Sequence, residues 1–142
     1  MVTIERLAEV SETIAADLSK LSTVLHGDER SVTAAELEEI VRDTSIVLMI
    51  ARDGERLVGM ATIYLIKKIG NRKAYIEDMI VDEEHRSQGI GGKLMHALID
   101  AAREQGARSV ELMTRIERKD AHRFYERLGF KNKDRYVYKL EL

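Results

Sequence analysis

The chain has 142 residues, the length of one domain, and its 44% apolar and 34% charged residues are a globular mixture rather than a disordered one. It has no cysteine, which excludes disulfides, thiolate metal sites and cysteine nucleophiles, and its formal net charge of −2 argues against a general nucleic-acid binder. The charge is uneven: residues 1–50 carry a net −6 and residues 51–142 a net +4, so an anionic ligand suits the second part better. No apolar run approaches the roughly 18 residues of a membrane span. Met1–Arg6 lacks the basic and apolar regions of a signal peptide. These features predict a soluble, cytoplasmic chain that contacts neither membrane nor nucleic acid.

In chain order, Thr3–Arg6 reads as a short strand. Leu7, Val10, Ile14, Leu18, Leu21 and Leu25 follow with helical spacing, broken at His26-Gly27-Asp28. Thr33-Ala34-Ala35-Glu36 has the form of a capping box and opens a second helix through Leu37, Ile40 and Val41. Ile46–Ala51 and Leu57–Ile66 read as strands joined at Asp53-Gly54, a hairpin signal. Lys67–Lys73 reads as a basic loop, and Ala74–Val81 as a third strand of this group. Ile90, Leu94, Leu98 and Ala101 or Ala102 mark a helix ending near Gly106, and Ser109–Thr114 a strand. A short helix through Ala121, Phe124, Tyr125 and Leu128 closes at Gly129, and Arg135–Leu142 reads as a last strand. The sum is an α/β (α+β) fold: a mixed, mostly antiparallel sheet of about six strands flanked by about four helices.

The most informative stretch runs from Ile76 to Leu94 and reads strand, turn, glycine-rich loop, helix. Glycines let the backbone approach a ligand, and a helix start presents unpaired N–H groups and a positive dipole end, so the pattern suits a phosphate. It is not a P-loop, because Leu94 follows Gly92-Lys93 and Ser87 stands where the first glycine belongs. Nor is it a dinucleotide fingerprint, because Leu94 occupies the third glycine's place. What remains is Arg86-Ser87-Gln88-Gly89-Ile90-Gly91. A turn that needs glycine for packing alone is the competing reading, and a mononucleotide-binding fold is a weaker one.

Arg86–Gly91 resembles the acyl-CoA pyrophosphate loop of the GNAT superfamily of N-acetyltransferases. Ala121-His122-Arg123-Phe124-Tyr125-Glu126-Arg127-Leu128-Gly129-Phe130 resembles that family's second motif, at a fitting distance along the chain. The resemblance covers about residues 45–138. It implies one acyl-CoA N-acyltransferase domain over 1–142, with 1–44 a helical acceptor-side region and 45–142 the cofactor-binding core. It implies acetyl-CoA as acyl donor, no metal, and transfer to a primary amine of a small molecule, peptide or protein by direct attack in a ternary complex. A homodimer is expected by analogy. The alternative is a non-catalytic acyl-CoA-binding regulatory module.

By the same resemblance the loop from Arg86 through Ser87, Gln88, Gly89, Ile90, Gly91 and Gly92 cradles the CoA pyrophosphate. The backbone of Met79, Ile80 and Val81 pairs with pantetheine like an added strand. Tyr125 stands at the family's general-acid position, and a phenol keeps its proton at neutral pH. Glu77 or Asp78 serves as base for the amine, directly or through water. Strand alternation sends these two to opposite faces, and Glu77 is preferred because it shares a face with Met79 and Val81. The amide of Met79 or Ile80 is the expected oxyanion donor. One departure is Arg118, where the family commonly has Asn; it is expected to meet the CoA phosphates or solvent. His26, His85, His96 and His122 show no metal-ligand pattern, and His26 reads as a solvated loop residue.

Overall fold

The computed structural model describes residues 1–142. They form two compact units, Met1–Leu112 and Met113–Leu142.

The first unit is built on a five-stranded sheet in the order β1 (Val2–Arg6), β2 (Ile46–Asp53), β3 (Arg56–Lys68), β4 (Asn71–Val81) and β5 (Val110–Glu111). The first four strands pair antiparallel and β5 joins β4 in parallel. One face carries Leu48, Ile50, Met60 and Ile80. These pack with Leu18 and Leu21 of α1 (Glu12–His26) and Leu37 of α2 (Ala34–Arg42) in one buried cluster. The other face receives α3 (Ile90–Glu104): a Cβ built on Gly59 would lie 3.3 Å from Leu94 Cδ1, 3.2 Å from Ala51 Cβ and 3.3 Å from the Ile80 carbonyl oxygen. Gly59 is where helix and sheet approach too closely for a side chain.

Local signals set most boundaries. The Thr33 capping box forms in both directions, Glu36 N–H to Thr33 Oγ1 and Thr33 N–H to the Glu36 carboxylate, each 3.1 Å. Helix α1 starts later than the apolar spacing predicts, because Ser11 caps it by accepting from the Ile14 N–H. Leu7 instead donates its N–H to the Leu48 carbonyl at 2.8 Å and is buried ahead of the helix. Gly27, at φ 74°, closes α1. The basic loop expected over Lys67–Lys73 shrinks to Ile69 and Gly70, since β3 and β4 stay paired out to Lys68 and Asn71. Ladder hydrogen bonds override the charged, exposed character of those side chains.

The second unit holds α4 (Lys119–Arg127), followed by Gly129 at φ 97°. The strand expected over Arg135–Leu142 does not form. Alternating apolar residues make a strand only where a neighbour takes up their backbone groups, and the sheet contains no strand from this segment. Tyr136, Val137, Tyr138, Leu140 and Leu142 are exposed along it.

Candidate active site

Strand β4 carries the candidate residues Glu77, Asp78, Met79, Ile80 and Val81. Thr62 pairs with Glu77 and Met60 with Ile80, so on β4 Asp78 and Met79 stand against the single residue Ala61 on β3. This is a β-bulge, and Asp78 takes φ 56°, a left-handed conformation that Asp tolerates better than most residues. The bulge resets the alternation. Glu77 falls on the face of Thr62 and Ile80, not on that of Val81, which pairs with Gly59. The Asp78 carboxylate reaches toward α1 on that same face and meets His26 Nε2 at 3.3 Å. The expectation that Glu77 and Asp78 point to opposite faces therefore fails: an extra residue in the ladder turns both toward α1.

The electrostatics follow from this convergence. Partial burial and the neighbouring Asp78 charge push the Glu77 carboxyl above its ordinary range, while His26 pulls it back down. Burial raises the Tyr64 phenol, with Asp78 and then Glu77 adding to it. Burial likewise raises Tyr75, followed by Glu77 and Glu111, and the Tyr75 hydroxyl is buried without a hydrogen-bond partner. Tyr64 and Tyr75 are cross-strand partners on the Glu77 face. His26, Tyr64 and Tyr75 were not legible as site residues. His26 ends α1 instead of floating in a loop, and no sequence signal links it to a strand 52 residues away.

The edge of β4 away from β3 pairs with β5 only at Ala74 and Tyr75. From Ile76 to Val81 that edge has no strand partner in the sheet. Met79, Ile80 and Val81 lie on this open stretch, which is the condition for an extended ligand to add as a strand. The Val81 carbonyl is already engaged, accepting from Arg86 Nε at 3.1 Å. That bond fixes the Arg86 side chain at the base of the loop.

Beyond a 3-10 turn at Glu83–His85 comes the glycine loop. Ser87 has φ 63° and Gly89 φ 79°. Gly89 caps α3 with no side-chain hydrogen bond, and no acidic residue occupies the helix's first turn. The first amides of α3 are thus left without side-chain partners. A Cβ placed on Gly89 or Gly92 would meet no atom within 4 Å. Gly89 is required by its φ, and packing does not explain Gly92, so close packing alone does not account for this loop. Gln88 is exposed, and Ile90 is buried as the hydrophobic anchor of the helix start. A small cleft of about 100 Å³ lined by Thr44, Ser45, Leu65, Lys67, Arg72 and Gln105 includes none of these residues.

In the second unit, Tyr125 lies on α4 and packs edge-to-face with Phe124 and Phe130, at ring-centre distances of 5.3 and 5.9 Å. Burial raises its phenol, and the Arg118 charge counteracts this. Arg118, the departure from the family motif, is the N-cap of α4 without a side-chain cap bond. No group of three or more His, Asp or Glu side chains is arranged to hold a metal ion, and no helix is long and apolar enough to cross a membrane.

Known proteins carry the same pattern. The Acetyltransferase (GNAT) family matches residues 11–130. The aminoalkylphosphonate N-acetyltransferase of Salmonella typhimurium is 39% identical over 82 residues, 56% of this chain and 53% of that protein. N-alpha-acetyltransferase 30 of Schizosaccharomyces pombe is 34% identical over 82 residues, 57% of this chain and 55% of that one. The chain thus spans about half the length of these relatives. Among solved structures, a Bacillus halodurans transcriptional regulator superposes with TM-score 0.79 at 30% identity over 100% of both chains. A Trypanosoma brucei acetyltransferase superposes with TM-score 0.82 at 26% identity, again over 100% of both. A bulged strand opening into an uncapped glycine loop, on a fold shared end to end with these structures and under a family match that runs through both motifs, makes this chain a member of the GNAT acetyltransferase family.

Proposed function

We propose that the protein is an acetyl-CoA-dependent N-acetyltransferase that acetylates a primary amine by direct attack in a ternary complex. The observation that carries this is the unpaired edge of β4 from Ile76 to Val81, running into a helix start whose glycines leave open space. These features fit an elongated ligand that ends in phosphates: the strand edge takes pantetheine amides, and the α3 amides with Arg86 take the pyrophosphate.

When bound, acetyl-CoA supplies an acetyl thioester. Glu77 accepts the proton that the ammonium of the acceptor must lose before its nitrogen attacks. Its raised pKa improves the match to that task near neutral pH. Asp78, held by His26, is the second choice for this role and adds negative charge that favours a cationic acceptor. The Met79 or Ile80 amide stabilises charge on the thioester oxygen. Tyr125, protonated at neutral pH because burial raises its pKa, gives its proton to the departing sulfur. The C–N bond forms, the C–S bond breaks, the surplus proton on the attacking nitrogen is released and replaces the one Tyr125 gave up, and the products are an amide and a free thiol.

The acceptor is a small-molecule or peptide amine. An aminoalkylphosphonate and a peptide α-amine head the panel, since relatives bear those activities in their names. Similarity to a transcriptional regulator supports the second reading, a regulatory module that binds acetyl-CoA without turnover. Calorimetric titration with acetyl-CoA, with ATP as control, is the first test. Micromolar affinity, about −8 kcal/mol, supports a pocket for the whole cofactor. Thiol release with the amine panel then separates enzyme from regulator. Failure of folded protein to bind acetyl-CoA overturns both.

A further inference from the structure

The turn that launches the glycine loop is tied down by one histidine. His85 ends the 3-10 turn after β4, one residue before Arg86 and two before the left-handed Ser87. Its Nδ1 lies 3.1 Å from Asp82 Oδ2, and its Nε2 lies 3.0 Å from Asp53 Oδ2 at the end of β2. The two carboxylates flank opposite edges of the ring, so they hold the imidazole between them instead of converging on one point. The side chain is only 15% exposed. We infer that His85 is a positioning residue for acetyl-CoA binding, whose doubly bonded imidazolium clamps the base of the glycine loop to the end of β2. This rests on the reading that the loop holds the cofactor's phosphates.

The argument is one of donors. A neutral imidazole has one N–H and one lone pair, while the imidazolium has two N–H groups. With a carboxylate at each nitrogen, the neutral ring must aim a lone pair at an anionic oxygen. Only the cation satisfies both contacts. The other charges around the clamp are the Met1 ammonium, 3.8 Å from Asp53, and Arg56, 3.3 Å from Asp82 and 3.8 Å from Glu84. Glu83 lies within the same turn. The hydrogen bonds to Asp53 and then Asp82 raise the His85 pKa above its ordinary 6.5, and the bond from His85 lowers that of Asp53. Both clamp bonds are therefore complete below the raised value, and one is lost as the pH rises through it.

Loop order matters because Ser87 and Gly89 both sit at positive φ. Such a loop presents its amides to a phosphate only if its base is fixed; otherwise binding must also order it. The remaining restraints stay within the turn and β4 or run to β3: Asp82 N–H to the Val58 carbonyl at 2.7 Å, Arg56 to Asp82 and Glu84, His85 N–H to the Asp82 carbonyl at 2.9 Å, and Arg86 Nε to Val81. His85 alone of the turn's side chains reaches β2.

The test is the acetyl-CoA dissociation constant, by calorimetry, from about pH 6.5 to about pH 9, a range spanning the imidazole transition. It is measured for wild type, His85→Gln and Asp53→Asn. Titration of the cofactor's own phosphate is common to all three and cancels in ratios. Wild type is expected to weaken about tenfold across the range as a charge-assisted bond is lost. His85→Gln is expected to bind weakly with no such dependence. Asp53→Asn is expected to bind tightly and flatly, because its amide accepts from the imidazolium and donates to the neutral ring. If wild type binds but its curve parallels that of Asp53→Asn, the inference is overturned while the acetyltransferase reading stands; this comparison decides even if His85→Gln fails to fold. If folded wild type does not bind acetyl-CoA, both are overturned.

Discussion

Two residues on the Glu77 face set the expected pH behaviour. The Glu77 carboxyl is raised above 4.5 by partial burial and Asp78, so as a base it is ionised only above that raised value. Loss of kcat/KM on acidification should therefore begin at a higher pH than for an ordinary carboxylate, and a pH–rate profile reads this directly. Replacing Glu77 with Gln should slow turnover by about 10²- to 10⁴-fold, the usual scale for a general base, with acetyl-CoA affinity retained in calorimetry. Asp78→Asn keeps a residue that tolerates the left-handed backbone and removes only charge, so it should shift the Glu77 limb to lower pH without unfolding the strand. On α4, Arg118 lowers the Tyr125 phenol that burial raises. Arg118→Asn restores the family's residue and should move the alkaline limb of the same profile upward; an unmoved limb would remove Tyr125 from the acid role.

At the scale of elements, the junction of β3, β4 and α3 holds the site in place. Gly59 sits beneath Leu94, opposite Val81 and beside the Ile80 carbonyl. Gly59→Val drives a branched side chain against backbone and a fully buried leucine. It should cost about 1–3 kcal/mol in chemical denaturation, the usual cost of overpacking. Gly89 is a contrasting case, because space is open around it but its φ is 79°. Gly89→Ala should cost about 1–2 kcal/mol for the left-handed backbone and weaken acetyl-CoA binding in the same titration. Elements were readable from the chain where a local rule applied: the strand–glycine–helix order, the Thr33 box, the helix break at Gly27. The bulge at Asp78 was not readable. It arises from a two-to-one mismatch between β3 and β4, and register is a property of the pair, not of either strand. Sequence alternation alone therefore misassigned the face that Glu77 shares with its neighbours.

For the molecule as a whole, charge gives an expectation that no single residue carries. The proposed cosubstrate, acetyl-CoA, is a polyanion, and the part of the chain with the glycine loop is net positive while the first 50 residues are net negative. Acetyl-CoA affinity should fall as salt rises and the Debye length shrinks below about 10 Å, which calorimetry at stepped ionic strength measures. A ligand at about 100 times its dissociation constant should stabilise the folded chain by about 2.7 kcal/mol, visible as a rise in Tm. The fold class and the approximate placement of the helices were readable from the chain alone, because apolar periodicity, caps and glycine conformations act within a few residues. The loop and Tyr125 motifs were identified by their resemblance to a known family. Tertiary structure decided what depends on partners far along the chain. It joined His26 to Asp78 across 52 positions and His85 to Asp53 across 32. It also decided that the apolar alternation of Arg135–Leu142 yields no strand, because a strand exists only where another backbone takes up its hydrogen bonds.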